Sequence, residues 1–230
     1  MGAAAACDTM PDTVENIAIR PATRADASFL ARVMLISGRA HVERGIWEVI
    51  LGRPEEEVLG FLEHISITDP PHLFHYSCFL IAEANKKSVA ALGGYDPEVK
   101  GYEKLRTAVE RVQAERGYSS QAPEMSQRAE KVLSCLPENI AGAWIIDSVA
   151  TLPDYRRRGI SEKLLTRILE IGRMRGHERA QVNIYVGNVP ARRAYEKIGF
   201  SLHEERLCPT FMEKIGSPGM ASMTIEHEDQ

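Results

Sequence analysis

Cysteine is scarce in this chain, with four residues in 230, at Cys7, Cys78, Cys135 and Cys208. No two form a Cys-x-x-Cys pair, so neither a zinc ribbon nor a disulfide framework is expected, and the pattern fits a reducing compartment. No apolar run approaches the ~18 residues that a membrane span requires. Positive charge is not in excess either. The formal net charge is −4, so no global basic field draws the chain to nucleic acid. Two glycine signatures of nucleotide binding are also missing: no Gly-Lys-Ser/Thr closes a P-loop, and no Gly-x-Gly-x-x-Gly opens a dinucleotide fold. The first residues, "MGAAAACDTMPDTVEN", contain no Lys or Arg and carry Asp8, Asp12 and Glu15. A signal peptide needs a basic start and a transit peptide is Arg-rich, so neither is expected. Met1-Gly2 suggests myristoylation, but Ala6 stands where that motif takes Ser or Thr. Residues 1–16 therefore read as a disordered leader of a cytoplasmic or nuclear protein.

The chain as a whole has an ordinary apolar content of 44%, enough for a packed core. "NIAIRPAT" alternates as a half-buried strand does. Thr23 and Asp26 then offer N-cap oxygens to a helix over "ADASFLARVMLIS", with Gly38 as its stop. "IWEVILG" and "PEEEVLGFLEHIS" predict two short helices, the second opened by Pro54 with acids in its first turn. "SCFLIAEA" and "SVAALGGYD" predict strands joined by the turn "NKK". Residues 97–139 read as a charged, amphipathic helical insertion lying across the domain. "AGAWIIDSVATL" is a nearly continuous apolar run, as a central strand should be. Ile160, Leu164, Leu165, Ile168 and Ile171 mark one helical face. A strand "AQVNIYV", a short helix "VPARRAYEKIG" stopped by Gly199, and strands "FSLHEERL" and "MASMTIEH" complete the order. This mixed order predicts an α/β sheet with helices on both faces.

One junction invites a ligand. In "VATLPDYRRRGISEKLL" an apolar strand ends in a Pro-Asp turn, and three arginines and a glycine precede a helix. A helix N-terminus exposes unpaired N–H groups and partial positive charge, so it holds anions. Glycine lets the backbone approach a phosphate closely, and guanidinium groups match phosphate oxygens. The expectation is a pyrophosphate cradled by Arg157 to Glu162. The competing reading is a solvated basic turn.

The same stretch resembles motif A of the GNAT acetyltransferase superfamily, Arg/Gln-x-x-Gly-x-Gly/Ala. Arg156, Gly159 and Ser161 occupy its defined positions; Ser161 departs from the usual Gly or Ala, but it is small. Further on, "VNIYVGNVPARRAYEKIGF" resembles the family's strand, Asn-x-x-Ala and Tyr-x-x-x-Gly-Phe pattern at Asn188, Ala191, Tyr195, Gly199 and Phe200. The likeness is sharp over residues 143–207 and diffuse over 17–95, and it leaves the insertion unexplained.

The resemblance implies a GNAT fold over residues 17–228, with a mixed central sheet of about seven strands and the 97–139 insertion before the fourth. It also implies an N-acetyltransferase that moves an acetyl group from acetyl-CoA to a primary amine, small molecule or peptide, in a ternary complex. The cofactor-binding residues would be Val149, Ala150 and Thr151, pairing with the pantetheine arm where the central strand splays. Arg156, Arg157, Arg158, Gly159, Ile160, Ser161 and Glu162 would hold the pyrophosphate, with Asn188 and Tyr195 beside them. Tyr195 would be the general acid, since a phenol keeps its proton at neutral pH, and Asp147 the general base. Each has a plainer reading: Asn188 as an N-cap, Tyr195 as a packing aromatic, Asp147 as a cap or a residue facing water.

The expected partners are an amine acceptor and coenzyme A, with no nucleic acid, no metal and no membrane span, in a monomer or homodimer. A non-catalytic acyl-CoA-binding module is the alternative. His72, His75 and Cys78 are spaced as metal ligands can be, but they read as ordinary loop residues. Trp47 either lines an acceptor pocket or belongs to the core, and Tyr95 either borders the cleft or turns the chain.

Overall fold

The computed structural model describes residues 16–226. The leader, Cys7 and the domain's expected end at residue 228 lie outside the described residues. One seven-stranded sheet runs in the order β1-β2-β3-β4-β5-β7-β6. Its strands are β1 (Ile17–Pro21), β2 (Phe79–Ala84), β3 (Lys87–Tyr95), β4 (Trp144–Thr151), β5 (Arg179–Tyr185), β6 (Ser201–Leu207) and β7 (Gly219–Glu226). Every neighbouring pair is antiparallel except β4 and β5.

Helices cover both faces. On one lie α7 (Ile160–Met174) and α8 (Val189–Glu196), packed through Leu164, Leu165, Ile168 and Tyr195 onto Leu92, Ile146, Val182 and Met223. On the other, α1 (Ala27–Arg39) and α3 (Glu55–Ile65) cover Ile81, Ala91, Tyr95 and Ile145. There α2 (Ile46–Leu51) and α9 (Pro209–Ile215) meet Tyr185 and Met220. The insertion holds α4 (Pro97–Lys100), α5 (Tyr102–Glu115) and α6 (Ala122–Leu133), with α5 against α3 and α6 against α2. Among the described residues no helix is long and apolar enough to cross a membrane.

Three local expectations are corrected. Gly38 does not stop α1: the helix runs to Arg39 and ends at Ala40, whose φ is 49°. Gly38 is small because the Trp47 ring crosses it, where an added Cβ would lie 2.6 Å from Cδ1. The segment between β6 and β7 contains α9, which sequence periodicity did not reveal. Cysteine scarcity also misled. Cys135, at the end of α6, and Cys208, at the N-cap of α9, form a disulfide across 73 residues of chain. Spacing carries no information about such a pair; it is made by the packing of α6 on α9. At the start of α1, a short 3₁₀ turn (Arg24–Asp26) intervenes, and Asp26 accepts from the Thr23 N–H at 2.8 Å.

The core next to α7 is tight where β3 passes beneath it. A Cβ on Gly94 would sit 2.4 Å from Ile168 Cγ1 and 2.8 Å from Trp144 Nε1. Overpacking of this kind costs about 1–3 kcal/mol. Gly94→Ala should therefore lower the melting temperature by about 3–10 °C in a thermal unfolding scan.

Candidate active site

The site begins with one extra residue in β4. β3 pairs with it at Tyr95↔Ile145, Gly94↔Ile146 and Gly93↔Asp147, then again at Ala91↔Ala150 and Ala90↔Thr151. Between these runs β3 spends one residue, Leu92, and β4 spends two, Ser148 and Val149. This is a β-bulge, and Ser148 carries it at φ 52°. A positive φ is uncommon for a residue with a Cβ and marks a position the surroundings over-determine. The bulge resets the strand's alternation: Val149 packs toward α7 and Ala150 toward α1.

β4 also leaves β5 at this level. The parallel pairing covers Trp144↔Ala180, Ile145↔Gln181 and Ile146↔Val182 and then ends, although both strands continue. From Asp147 to Thr151 the β5-facing edge of β4 has no strand beside it. Such an edge can accept an added extended chain.

Asp147 stands at the fork on the α1 side. It keeps some solvent exposure, yet burial pushes its carboxyl above the usual carboxylate range; the Ser148 hydroxyl, donating at 2.8 Å, and the Ser148 backbone pull it back only in part. Four phenols feel its charge. Tyr95, Tyr185 and Tyr195 are buried and their pKa values rise, first through burial and then through Asp147; Tyr185 also accepts a bond from Ile46, which opposes the rise. Tyr102, on the insertion's α5, is shifted in the same direction, first by burial and then by Asp147, but at 49% exposure solvent screens much of that shift.

Tyr195 approaches from the opposite face. It lies in α8 at 6% exposure, edge-on to Phe200 with ring centroids 5.6 Å apart. The plainer reading of this residue as a packing aromatic is therefore true of its ring, whatever its hydroxyl does. The same holds for Asn188, whose side chain caps α8 by accepting from Ala191 N–H at 3.3 Å.

The arginine-glycine junction forms the third side. Arg157 has φ 63° and Gly159 φ 71°, with Arg158 between them in ordinary backbone space. Two positive-φ residues so close before a helix start suit a concavity of backbone N–H groups, a nest for an anion. The first bond back into α7 is Lys163 N–H to Gly159 C=O. The N–H groups of Ile160, Ser161 and Glu162 therefore have no helical partner. Nothing stands within 4 Å of where a Gly159 Cβ would be, so the space before the helix is open. Arg156 is turned back to Thr151 C=O at 3.1 Å, and Arg158 to Asp154 C=O at 2.8 Å and the Tyr155 ring. Glu162 bonds Lys197, joining the start of α7 to the end of α8.

Other residues reach the fork only through the fold. The Tyr185 hydroxyl donates to Gly38 C=O at 2.5 Å and accepts from Ile46 N–H at 3.2 Å, holding the α1–α2 loop over the end of β5. That loop lays His41 against Tyr185, with ring centroids 6.2 Å apart, and 3.5 Å from where a Gly187 Cβ would be. Asn183 in β5, just past the last β4–β5 pair, is paired with Ser222 in β7. The alternation in "AQVNIYV" signals that Gln181, Asn183 and Tyr185 share a face, but not what they face. Trp47 packs edge-on to Phe74 and belongs to the core. His72 uses both ring nitrogens on backbone groups, Ile65 C=O and Phe74 N–H, and burial lowers its pKa to about 4.

Comparison with known proteins follows this geometry. Residues 132–200 match the model of a family described as acetyltransferase (GNAT) family. An N-acetyltransferase from Staphylococcus aureus Mu50 superposes with a TM-score of 0.65 at 22% identity, over 90% of this chain and 100% of that one. A structure described only as an acetyltransferase gives 0.65 at 22% identity, over 92% and 100%. A putative acetyltransferase from Salmonella typhimurium, solved with its cofactor acetyl-CoA, gives 0.52 at 14% identity, over 94% and 96%. At these identities the likeness shows the fold. No curated protein sequence matches the chain.

The raised carboxyl has a measurable consequence. A folded-state pKa above the unfolded one means that the folded state holds the Asp147 proton more tightly. Its contribution to stability is best below the unfolded pKa and declines as pH rises toward the folded value. Asp147→Asn should thus raise the melting temperature at pH 7.5 relative to the parent, and the gain should shrink at pH 4.

Proposed function

The chain carries the acetyltransferase domain of the GNAT family, and on that premise we propose that it moves an acetyl group from acetyl-CoA to a primary amine by direct attack in a ternary complex. The fork between β4 and β5 is the observation that carries this reading. It opens a slot with Asp147 on one face, Tyr195 on the other, and an anion cradle at one end.

The chain's residues suit coenzyme A at each point. The pyrophosphate would meet the N–H groups of Arg158 to Glu162, with Arg157 and Gly159 shaping the concavity. The guanidinium groups of Arg156 and Arg158 are turned toward backbone carbonyls, so the backbone, rather than the triple positive charge, supports the cradle. The pantetheine amides would pair with the open edge of Val149, Ala150 and Thr151, whose other edge is already bonded to β3. Asn188 caps α8 and so places Tyr195; in this reading it binds the cofactor only through that placement. Acetyl-CoA supplies the activated acyl group.

The proton steps fall to the chain. An acceptor enters as an ammonium from the α1–α2 side and meets Asp147. A carboxylate whose pKa is raised is a stronger base than a free one and takes the ammonium proton, directly or through water. The amine nitrogen then attacks the thioester carbonyl, the carbon–sulfur bond breaks, and the nitrogen sheds its second proton to water as the amide forms. Tyr195, whose phenol stays protonated far above neutral pH, gives its proton to the departing sulfur. The rate should rise with pH as Asp147 ionises and show no loss of the acid near neutrality.

Two substitutions test the assignment. Gly159→Asp places bulk and negative charge in the cradle, where like-charge contact costs several kcal/mol. It should weaken acetyl-CoA binding at least about 100-fold by calorimetry; unchanged affinity in a folded variant removes the cofactor from this site. Tyr195→Phe keeps the ring packing and removes the proton. It should lower kcat about 100-fold, with the acetyl-CoA dissociation constant changed far less; equal turnover would leave Tyr195 a packing residue only.

A further inference from the structure

The polar groups beside Asp147 have a defined direction. Asp147, Asn183 and Ser222 form one row across the sheet. The parallel register ends at Ile146↔Val182; one step on, where β4 and β5 part, Asp147 and Asn183 stand level on either side of the fork, and Asn183 pairs with Ser222. All three project to the α1–α2 side, because Ile146, Val182, Ile184, Ala221 and Met223, which alternate with them, fill the opposite core.

A backbone group sets the orientation of this row. Ile140 N–H can only donate, and it donates to Gln181 Oε1 at 2.8 Å. Gln181 Nε2 is therefore the other end of that amide, and it donates to Glu138 C=O at 3.0 Å and to Asn183 Oδ1 at 3.2 Å. Asn183 thus turns its oxygen to Gln181 and its Nδ2 away, as a donor. One strand further, Ser222 is 1% exposed, and its hydroxyl has no hydrogen-bond partner among the described residues. A buried hydroxyl without a partner is costly, and a ligand can supply one. The row thus offers a carboxyl at the fork, then an amide N–H and a hydroxyl. At its far end on β6 stands Glu204, paired with Ser222.

We propose that Asn183 and Ser222 select the acceptor, and that the site takes an α-amino amide: a primary amine whose neighbouring carbon bears a neutral carbonyl that accepts from Asn183 Nδ2 and Ser222 Oγ. This rests on the acetyltransferase reading. The geometry suits the pair of functions. An α-amine lies about 3 Å from its own carbonyl oxygen, and a hydrogen bond adds roughly 3 Å at each end, a span that suits two side chains on strands that have parted. One ligand can therefore bond Asp147 through its nitrogen and Asn183 through its oxygen. A lysine ε-amine has no carbonyl within reach. A free amino acid would bring a carboxylate near Asp147, and like charges repel; Glu204, at the far end, is already paired with Arg206 at 3.5 Å. The shared chemistry belongs both to small amino-acid amides and to the first residue of a peptide.

The test uses the whole chain with acetyl-CoA and four probes: glycinamide, triglycine amide, glycine and ethylamine. Ser222→Ala removes the hydroxyl. Asn183→Ala removes the amide donor and adds no charge near Asp147. Each variant should lower kcat/KM for glycinamide about 10–100-fold and leave ethylamine within about twofold, a ratio in which amine basicity cancels. Calorimetry should show weaker glycinamide binding in the presence of coenzyme A and an unchanged acetyl-CoA affinity. Glycine should be a poor acceptor throughout. Triglycine amide outpacing glycinamide assigns the source to a peptide N-terminus, and the reverse assigns it to a small amide; either carries the proposal. Equal losses on glycinamide and ethylamine, or no loss in both folded variants, overturn it while leaving the acetyltransferase reading intact. Failure to bind acetyl-CoA and to acetylate any probe overturns both.

Discussion

The separation of β4 from β5 governs the rest of this molecule. Two neighbouring parallel strands that hydrogen-bond for three residues and then part leave backbone groups unpaired inside a sheet. That arrangement is costly unless something else bonds them. The bulge at Ser148 accompanies it: one additional residue in β4, held at positive φ, bends the strand and changes which residues face which layer. Without it, Asp147, Val149 and Thr151 would share a face in simple alternation. With it, Asp147 faces the α1 side and Val149 faces α7. The strain at Ser148 and the open edge are thus parts of one feature, and both lie where the extended arm of a coenzyme would lie.

The two layers around the sheet divide the work. The α7 side is almost wholly apolar and rigid, with glycine at position 94 admitting Ile168 and Trp144. That stiffness fixes the start of α7, and so the cradle formed by Arg157, Gly159 and the free N–H groups. The α1–α2 side carries the polar row, the phenols and the hydrogen-bond relay through Gln181. The Ile140 N–H fixes which end of the Gln181 amide accepts, and so which end of Asn183 faces it. The insertion bears on this side. Its end, at Glu138 and Ile140, anchors Gln181, and its helix α5 presents Tyr102 toward Asp147. The segment read from the sequence as a charged, amphipathic insertion thus bonds to β5 through Glu138.

Much of this was legible before the structure. Helices and strands with strong periodicity fell where alternation and capping put them, because burial of one face dictates period. The junction at Arg156–Glu162 and the pattern around Asn188 and Tyr195 resembled one family independently, and residues 132–200 match the model of that family. The misses share a cause. Gly38 read as a helix stop because its small size has two explanations, and only the Trp47 ring decides between them. Helix α9 is one short segment after Pro209 with too few turns to show a period. Cys135 and Cys208 gave no sign of their bond, since 73 residues separate them. Asn183, Ser222, His41 and Tyr185 carry no local signature, because each acquires its role from a neighbour on another strand or loop.

The sequence by itself determined the alternation of layers, the central apolar strand, the anion-favouring junction and the residue types that proton transfer needs. These follow from local rules: periodicity, turn chemistry and the exposed N–H groups of a helix start. The tertiary structure decided where β4 leaves β5, which face Asp147 and Tyr195 each occupy, and which way the amide of Asn183 points. Those depend on registers between strands far apart in the chain and on a hydrogen-bond chain anchored at Ile140. A local pattern can say that a strand is half buried. Only the packed sheet says what the other half faces.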